Sequence, residues 1–429
     1  MIRAMRPIRP IVLLSAPFVL WLVSHGIPAQ AQATRAGWPQ WGGPTRNFHV
    51  ASGAIVRAWP ESGPRQLWRH PLGEGYSSIL VEGRTLVTMY RRGDEEVVVA
   101  LDAATGTKRW EHAYQAPLVH NGYFDVWLNA AGPGPYSTPL IADGTVFTLG
   151  VNGHFHALDL ETGRVRWSHD LVSLFKLNDY NAFASSPLAY QRDVILTLGG
   201  SRQGVVSFNR ETGRLTWQSD PLALGPGSPV LIDPDGQSEL VVWGQQEIDA
   251  ISPVNGRLLW RHPHPTQLGL NISTPVWGPG NRLFVSSAYG GGSRMIGLSR
   301  SGGRTTPKEV WFNNRMHLHF GAALRMGTLI IGTSGDFGPA FMVAVDADTG
   351  AELWRDRSFA RAQMVDGNGT LVIVDEQGEI AVASVSREKL QVHARKELLT
   401  PNAWTPPTLV GSTLYVRDRK NILAFDLGN

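Results

Sequence analysis

An eleven-residue pattern ending in tryptophan recurs along the chain, and it restricts the possible folds more than any other feature. The copies are "ALDAATGTKRW" ending at Trp110, "ALDLETGRVRW" at Trp167, "SFNRETGRLTW" at Trp217, "AISPVNGRLLW" at Trp260 and "AVDADTGAELW" at Trp354. A looser version, "GLSRSGGRTTPKEVW", ends at Trp311. In chain order these tryptophans are 57, 50, 43, 51 and 43 residues apart. A period of that size fits one blade of a propeller. Ahead of each copy comes a small polar stretch leading into an apolar run, as in "YSTPLIADGTVFTLG" and "SSPLAYQRDVILTLGG". Short β-rich runs separated by Gly, Asp and Asn turns predict hairpins rather than helices.

One blade can be traced. "STPLIA" predicts an inner strand, "DG" a turn, "TVFTLGV" a second strand, and Asn152-Gly153 a tight hairpin. "HFHALDL" is the third strand, "ETG" turns, and "RVRW" opens the fourth. The turn aspartates Asp102, Asp159, Asp346 and Asp426 are expected to hold their turns through side-chain bonds to backbone, and the turn glycine to take a left-handed conformation. Trp68, Trp110, Trp167, Trp217, Trp260, Trp311 and Trp354 are expected to dock on the neighbouring blade, each indole N–H on a backbone acceptor. A four-stranded blade cannot cover both of its own faces, and stacking blades in a ring does so. The last unit, "TPPTLVGSTLYVRDRKNILAFDLGN", holds three strands, and "QLWRHPL" near the start is an orphan fourth. Joining them gives the expected fold: all-β, an eight-bladed β-propeller of four-stranded antiparallel blades closed by an N-terminal strand. Seven blades is the alternative if one degenerate region is loop.

The first 33 residues are expected to be an export signal: Arg3, Arg6 and Arg9, the apolar run "IVLLSAPFVLWLV", then "PAQAQA" with cleavage after Ala31 or Ala33. The run is 13 residues long and contains a proline, whereas a membrane span needs about 20. The arginines are spaced, not paired, which predicts the general secretory route. Residues 34–63 form an N-terminal extension and 64–429 the propeller. Of 39 basic residues three lie in the signal, where there are no acidic ones, so the remainder carries 36 of each sign. A neutral chain lacks the footprint that phosphate backbones require, so no nucleic-acid partner is expected. There is no cysteine, which excludes disulfides, c-type haem attachment, a thiolate nucleophile and a lipidated N-terminal Cys.

The "A-L-D-x-x-T-G-x-x-x-W" copies and "WPQWGGPTRN" at 38 to 47 resemble the pyrroloquinoline-quinone-like (PQQ-like) β-propeller repeat family over essentially residues 38 to 429. The resemblance implies the propeller. It does not imply one activity, since the family includes quinone dehydrogenases and members that bind no quinone. The dehydrogenases typically hold the cofactor between a Trp and a disulfide of adjacent cysteines, with a calcium ion and an Asp base. A chain without cysteine cannot build that disulfide, so no cofactor is expected, with PQQ and calcium as the alternative. The barrel-assembly propeller subunit of the same family is lipid-anchored through an N-terminal Cys that this chain lacks, and its role is not carried over.

Candidate chemistry lies where the repeat breaks. Two histidines one residue apart on a strand share a face and could supply two metal ligands. His154 and His156 align with Gly204 and Val206, Glu247 and Asp249, Arg294 and Ile296, a tolerant position expected at the surface. His262 and His264 lie between prolines on a connecting loop, also expected at the surface. His317 and His319, in "WFNNRMHLHFGAALRMG", fall where the sixth inner strand should begin, which places Asn314, Arg315, His317 and His319 near the channel mouth as a polar rim without metal. The insertions at 112–135 and 171–184 add Tyr123, Phe124, Trp127, Lys176, Asn178, Asp179 and Tyr180 on loops, where binding residues concentrate. Among these, Tyr123, Trp127, Lys176, Asp179, Tyr180, Asn314, Arg315, His317 and His319 are the ligand-binding candidates, and no catalytic residue can be assigned. The sequence therefore predicts an exported, monomeric binding or scaffold module, periplasmic or extracellular, with a protein or small-molecule ligand at the propeller face and no lipid anchor. A quinone-dependent or unassigned oxidoreductase is the alternative.

Overall fold

The computed structural model describes residues 37–118, 132–177, 182–198, 204–336 and 338–428. Two strands come first, β1 (His49–Val50) and β2 (Arg65–Pro71), and from β3 onward the strands come four to a sheet. Blade 1 runs from β3 (Leu80–Glu82) through β4 (Thr85–Arg92) and β5 (Glu95–Asp102) to β6 (Lys108–Gln115), and blade 2 from β7 (Leu140–Ala142) to β10 (Val165–Asp170). Blade 3 runs from β11 (Leu188–Tyr190) to β14 (Leu215–Gln218), blade 4 from β15 (Val230–Ile232) to β18 (Leu258–Pro263), and blade 5 from β19 (Val276–Gly278) to β22 (Arg304–Asn313). Blade 6 spans β23 (Leu324–Met326) to β26 (Glu352–Asp356), and blade 7 spans β27 (Ala362–Gly367) to β30 (Leu390–Glu397). Blade 8 orders β31 (Thr408–Val410), β32 (Thr413–Arg417) and β33 (Asn421–Asp426) beside β2. The fold is the eight-bladed β-propeller expected, closed by the N-terminal strand: Trp68 pairs with Ala424 and His70 with Ile422.

The repeat acquires its physical meaning at the joints. Trp68 Nε1 donates to Ala103 O at 3.0 Å, Trp110 to Leu160 O at 2.9 Å, Trp167 to Arg210 O at 2.9 Å, Trp311 to Ala347 O at 3.0 Å and Trp354 to Ser386 O at 3.0 Å. Each acceptor lies on the next blade. A pairing irregularity just before each of these tryptophans turns the ring outward onto its neighbour. The ring then lies on the glycine of the next turn: a Cβ on Gly163 would stand 2.5 Å from Trp110, and its φ is +69°. That glycine is thus fixed twice, by backbone conformation and by the indole above it. Asp159 holds the turn as expected, accepting from the Thr162 N–H at 2.9 Å and its hydroxyl at 2.8 Å.

Three joints depart from this scheme. Trp217 lies over Gly256, where a Cβ would stand 2.7 Å from its ring, but its Nε1 is buried and meets no acceptor among the described residues. Trp260 donates to Glu239 of its own blade at 2.6 Å, because the long β21–β22 hairpin (Gly292–Ser301, Arg304–Asn313) carries the next turn beyond its reach. Thr305 of that hairpin also donates to Glu239. In blade 7, Ala394 pairs with Val382 where the other blades place their Trp. Ile55 and Trp59, ahead of β2, pack with Val392 and Leu398 of blade 7 against the same core.

Around the channel, Ser and Thr hydroxyls stitch inner strands together. The Ser78 N–H donates to Thr138 Oγ1, the Thr138 N–H to Ser186 Oγ and the Ser186 N–H to Ser228 Oγ, each at 3.0 Å. Thr408 Oγ1 donates to Ile79 O at 2.7 Å across the closing joint. This is why a small polar stretch precedes most inner strands; blades 6 and 7 have "FGAA" and "SFAR" there instead, and Thr333 Oγ1 donates to Ala362 O at 2.8 Å between them. Arg417, fully buried, strengthens the closing joint by donating to Ser77 O, Thr88 Oγ1 and Met89 O of blade 1.

Candidate functional site

In a four-stranded blade the first-to-second and third-to-fourth turns open at one end of the ring, and the blade-to-blade connections at the other. The turn end of the channel is filled by residues 38–52. Trp38 pairs antiparallel with Val81, β1 lies parallel on β27 through His49–Asp366 and Val50–Gly367, and Ser52 bridges to Gly411. The Ile141 N–H donates to Pro39 O at 2.7 Å, Trp41 Nε1 to Thr274 Oγ1 at 2.8 Å and Arg46 Nη1 to Pro187 O at 3.0 Å. One short segment thus touches the inner strands of blades 1, 2, 3, 7 and 8 and the Ser-Thr stretch ahead of the fifth. Trp38 is 1% exposed, and Trp41 meets Phe48 edge-on at 5.3 Å. The "GG" of "WPQWGGPTRN" makes the reversal possible: Gly42 has φ +72°, and a Cβ there would stand 2.7 Å from the Arg46 carbonyl carbon.

The connection end is aromatic. Tyr76 and Tyr136 stack with centroids 6.3 Å apart and planes 7° apart, Trp404 stacks on Tyr76 at 5.3 Å, and Phe320 tilts against Trp404 at 5.1 Å. All four are half-buried. They occupy one repeat position, four residues before the inner strands of blades 6, 8, 1 and 2. Sequence reasoning missed the row, although "YSS", "YST" and "WTPP" carry its signal. Charges flank it: Trp404 Nε1 donates to Glu376 Oε2 at 3.0 Å, Arg361 pairs with Glu376 at 3.3 Å and donates to Asp336 O at 2.7 Å, and Arg419 pairs with Glu74 at 2.8 Å. Arg361 also lies over the Phe320 ring at 5.5 Å.

The sequence candidates divide. Tyr123, Trp127, Asp179 and Tyr180, like Phe124 and Asn178, lie outside the described residues. Lys176 is exposed, ending the short helix α1 (Leu171–Phe175) in a left-handed conformation, φ +53°. Asn314 and Arg315 are exposed in the connection from blade 5 to blade 6, and the inner strand begins only at Leu324. His317 is half-buried, with Nδ1 3.5 Å from Asp336 and Nε2 2.7 Å from Asn314 O. His319 is buried against the Tyr289 hydroxyl through Nε2, its ring edge-on to Tyr289 at 5.2 Å. Burial lowers its pKa to about 4. Tyr289 holds φ +56°, a strained conformation for a bulky residue, with its N–H on Asp336 Oδ1 at 3.1 Å. Among the described residues no three His, Asp or Glu side chains form a group that could hold a metal ion.

Two histidines expected at the surface are buried. His156 packs on Tyr114 at 4.5 Å and His112 at 5.1 Å, inside the joint of blades 1 and 2. His264, 0% exposed, lies against Trp243 and accepts from Arg294 Nε at 3.1 Å. Burial brings both down to about 3. Neighbouring blades cover both faces of each sheet, so neither a position that varies among the repeats nor a loop between prolines need face solvent.

Ring, joints and repeat make the chain a PQQ-like β-propeller. A family model described as outer membrane protein assembly factor BamB matches residues 52–228. The chain is 23% identical to the outer membrane protein assembly factor BamB of Burkholderia pseudomallei, over 74% of this chain and 87% of that protein. It is 28% identical to a quinohemoprotein alcohol dehydrogenase of Pseudomonas putida over 54% of this chain, but spans only 32% of the dehydrogenase. Among solved structures, BamB from Moraxella catarrhalis superposes with TM-score 0.60 at 17% identity, covering 85% of this chain and 99% of that one. A europium-containing methanol dehydrogenase superposes with TM-score 0.65 at 14% identity, covering 88% and 89%. These superpositions share the fold.

Proposed function

We propose that the chain is an exported binding module that docks a protein partner on the connection end of the ring. The observation that carries this reading is the half-buried row Phe320–Trp404–Tyr76–Tyr136, flanked by Arg361, Glu376, Arg419 and Glu74. Aromatic rings set among mixed charges are what the anchors of protein interfaces consist of. Among the described residues the turn end offers no such row, because residues 38–52 fill it. Similarity to a protein named as an assembly factor supports a partner that is itself a protein. Residues 1–33 acting as an export signal would put the module in the periplasm or outside the cell. The test is a photo-cross-linking residue at Phe320 in cells. A discrete cross-linked product is expected there, and none from Val254, which is 59% exposed in a turn at the other end. Equal products from both positions would refute docking at the mouth.

A second reading has one observation in its favour: Trp404, Glu376 and Arg361 converge at the mouth, a Trp with a carboxylate and a cation. The residues present do not fit a pyrroloquinoline quinone. The resemblance implies a planar cofactor between a Trp and a cysteine disulfide, but the chain has no cysteine, and Trp404 already carries Tyr76 stacked on it and Phe320 against it. Purified protein mixed with calcium and the quinone is expected to retain no quinone absorbance after desalting, and stoichiometric retention would overturn the binding-module reading.

A further inference from the structure

Arg46 is 5% exposed, in the segment that fills the turn end of the channel. Its Nη1 donates to Pro187 O at 3.0 Å and Gln40 Oε1 at 3.3 Å, both neutral acceptors. Its Nε and Nη2 are buried and meet no acceptor among the described residues. Burial lowers its pKa to about 9 with no carboxylate opposing the shift, so the group is still a cation at neutral pH. Arg417, equally buried, differs: it reaches acceptors at Ser77, Thr88, Met89 and Gly73 and has Asp418 beside it. A buried guanidinium without a counter-charge is among the costlier features a fold can carry.

Three serines ahead of the inner strands have the same character. Ser77, Ser137 and Ser185 stand three residues before the inner strands of blades 1, 2 and 3. Equivalent positions on consecutive blades lie side by side around the ring. All three are buried, and none of their hydroxyls has a partner among the described residues. Pro187, which accepts from Arg46, is two residues along the chain from Ser185, a rise of about 7 Å in extended backbone. Tyr76 and Tyr136 directly precede Ser77 and Ser137. Along the chain, unpaired hydroxyls therefore stand between the aromatic rings of the mouth and the level at which Arg46 meets Pro187.

We propose that the central channel binds a small oxyanion, a carboxylate or phosphate group, on the Arg46 guanidinium, with the hydroxyls of Ser77, Ser137 and Ser185 as further donors. The planar fork of an arginine suits such groups over a spherical halide. The site is entered past the aromatic row and is separate from docking, so it is read on the isolated protein.

The experiment is calorimetric titration of the full chain with sodium phosphate and, separately, sodium succinate, each against sodium chloride at matched ionic strength. Saturable one-to-one binding with either salt is expected, together with a rise in Tm that chloride does not give. A response to phosphate alone assigns the phosphate source, and one to succinate alone the carboxylate. Arg46→Gln should weaken binding at least tenfold, and Ser137→Ala with Ser185→Ala several-fold. If Arg46→Gln does not fold, the serine variant decides. No saturable binding to the wild-type protein, or unchanged affinity in the variants, overturns the proposal.

Discussion

At one end of the channel Trp38, Arg46 and Phe48 are buried and tied down by backbone pairing; at the other, Phe320, Trp404, Tyr76 and Tyr136 keep a half-buried edge, and among the described residues no strand covers them. The same eight inner strands supply both ends. The difference lies in what the repeat leaves free. Turns are held by Asp–Thr contacts and glycines that tolerate little change, so the turn end can be filled only by an added segment. Connections are free to vary in length and side chain, and there the chemistry-bearing residues gather.

The harshest way to break this comparison is Trp38→Ala. Removing a buried indole should cost about 3–5 kcal/mol, read as a lowered urea midpoint, and a loss below about 1 kcal/mol would mean that the filled end is not part of the core. Acid comes next. A histidine kept neutral by burial leaves the unfolded chain binding the extra proton, so stability falls as pH drops below 6.5 and, for His319, continues to fall to about 4. At about pH 5 the loss from His319 is on the order of 2 kcal/mol. His319→Phe should therefore narrow the gap between urea midpoints at neutral and acid pH, and an unchanged gap would show that the mouth does not hold His319 neutral. Trp404→Ala should cost only about 1 kcal/mol while abolishing the cross-link from Phe320, which separates binding from folding. Smallest of all, Arg315→Ala should leave stability within about 0.5 kcal/mol, and a larger thermal shift would promote that exposed connection to a structural element.

The ring was legible because each blade repeats its turn chemistry: Asp159, Thr162 and Gly163 state a turn, Trp110 states a joint, and the missing fourth strand after Asp426 states closure by β2. The site was not. Nothing in the one-dimensional pattern says that Arg46 meets Pro187 or that Phe320 meets Trp404, since both contacts come from curvature around a closed ring. His156 and His264 misled for a related reason: a position that varies among the repeats, or one between prolines, suggests a surface, and only the neighbours in the ring decide that it is buried. The aromatic row was within reach, one repeat position read down the blades, but it is present in four of eight and looks like noise without the ring to order it.

The joint between β2 and β33 has a consequence in time. Arg65 pairs with Asp426, 361 residues later in the chain, at 2.6 Å. A strand made early must therefore wait for β33, and until then its edge is open to pairing with any other chain. Its sequence "RQLWRHP" carries Arg65 and Arg69 along that edge, charges of the kind that keep unpaired strands apart. What serves as a clasp in the finished ring is, during synthesis, a guarded loose end.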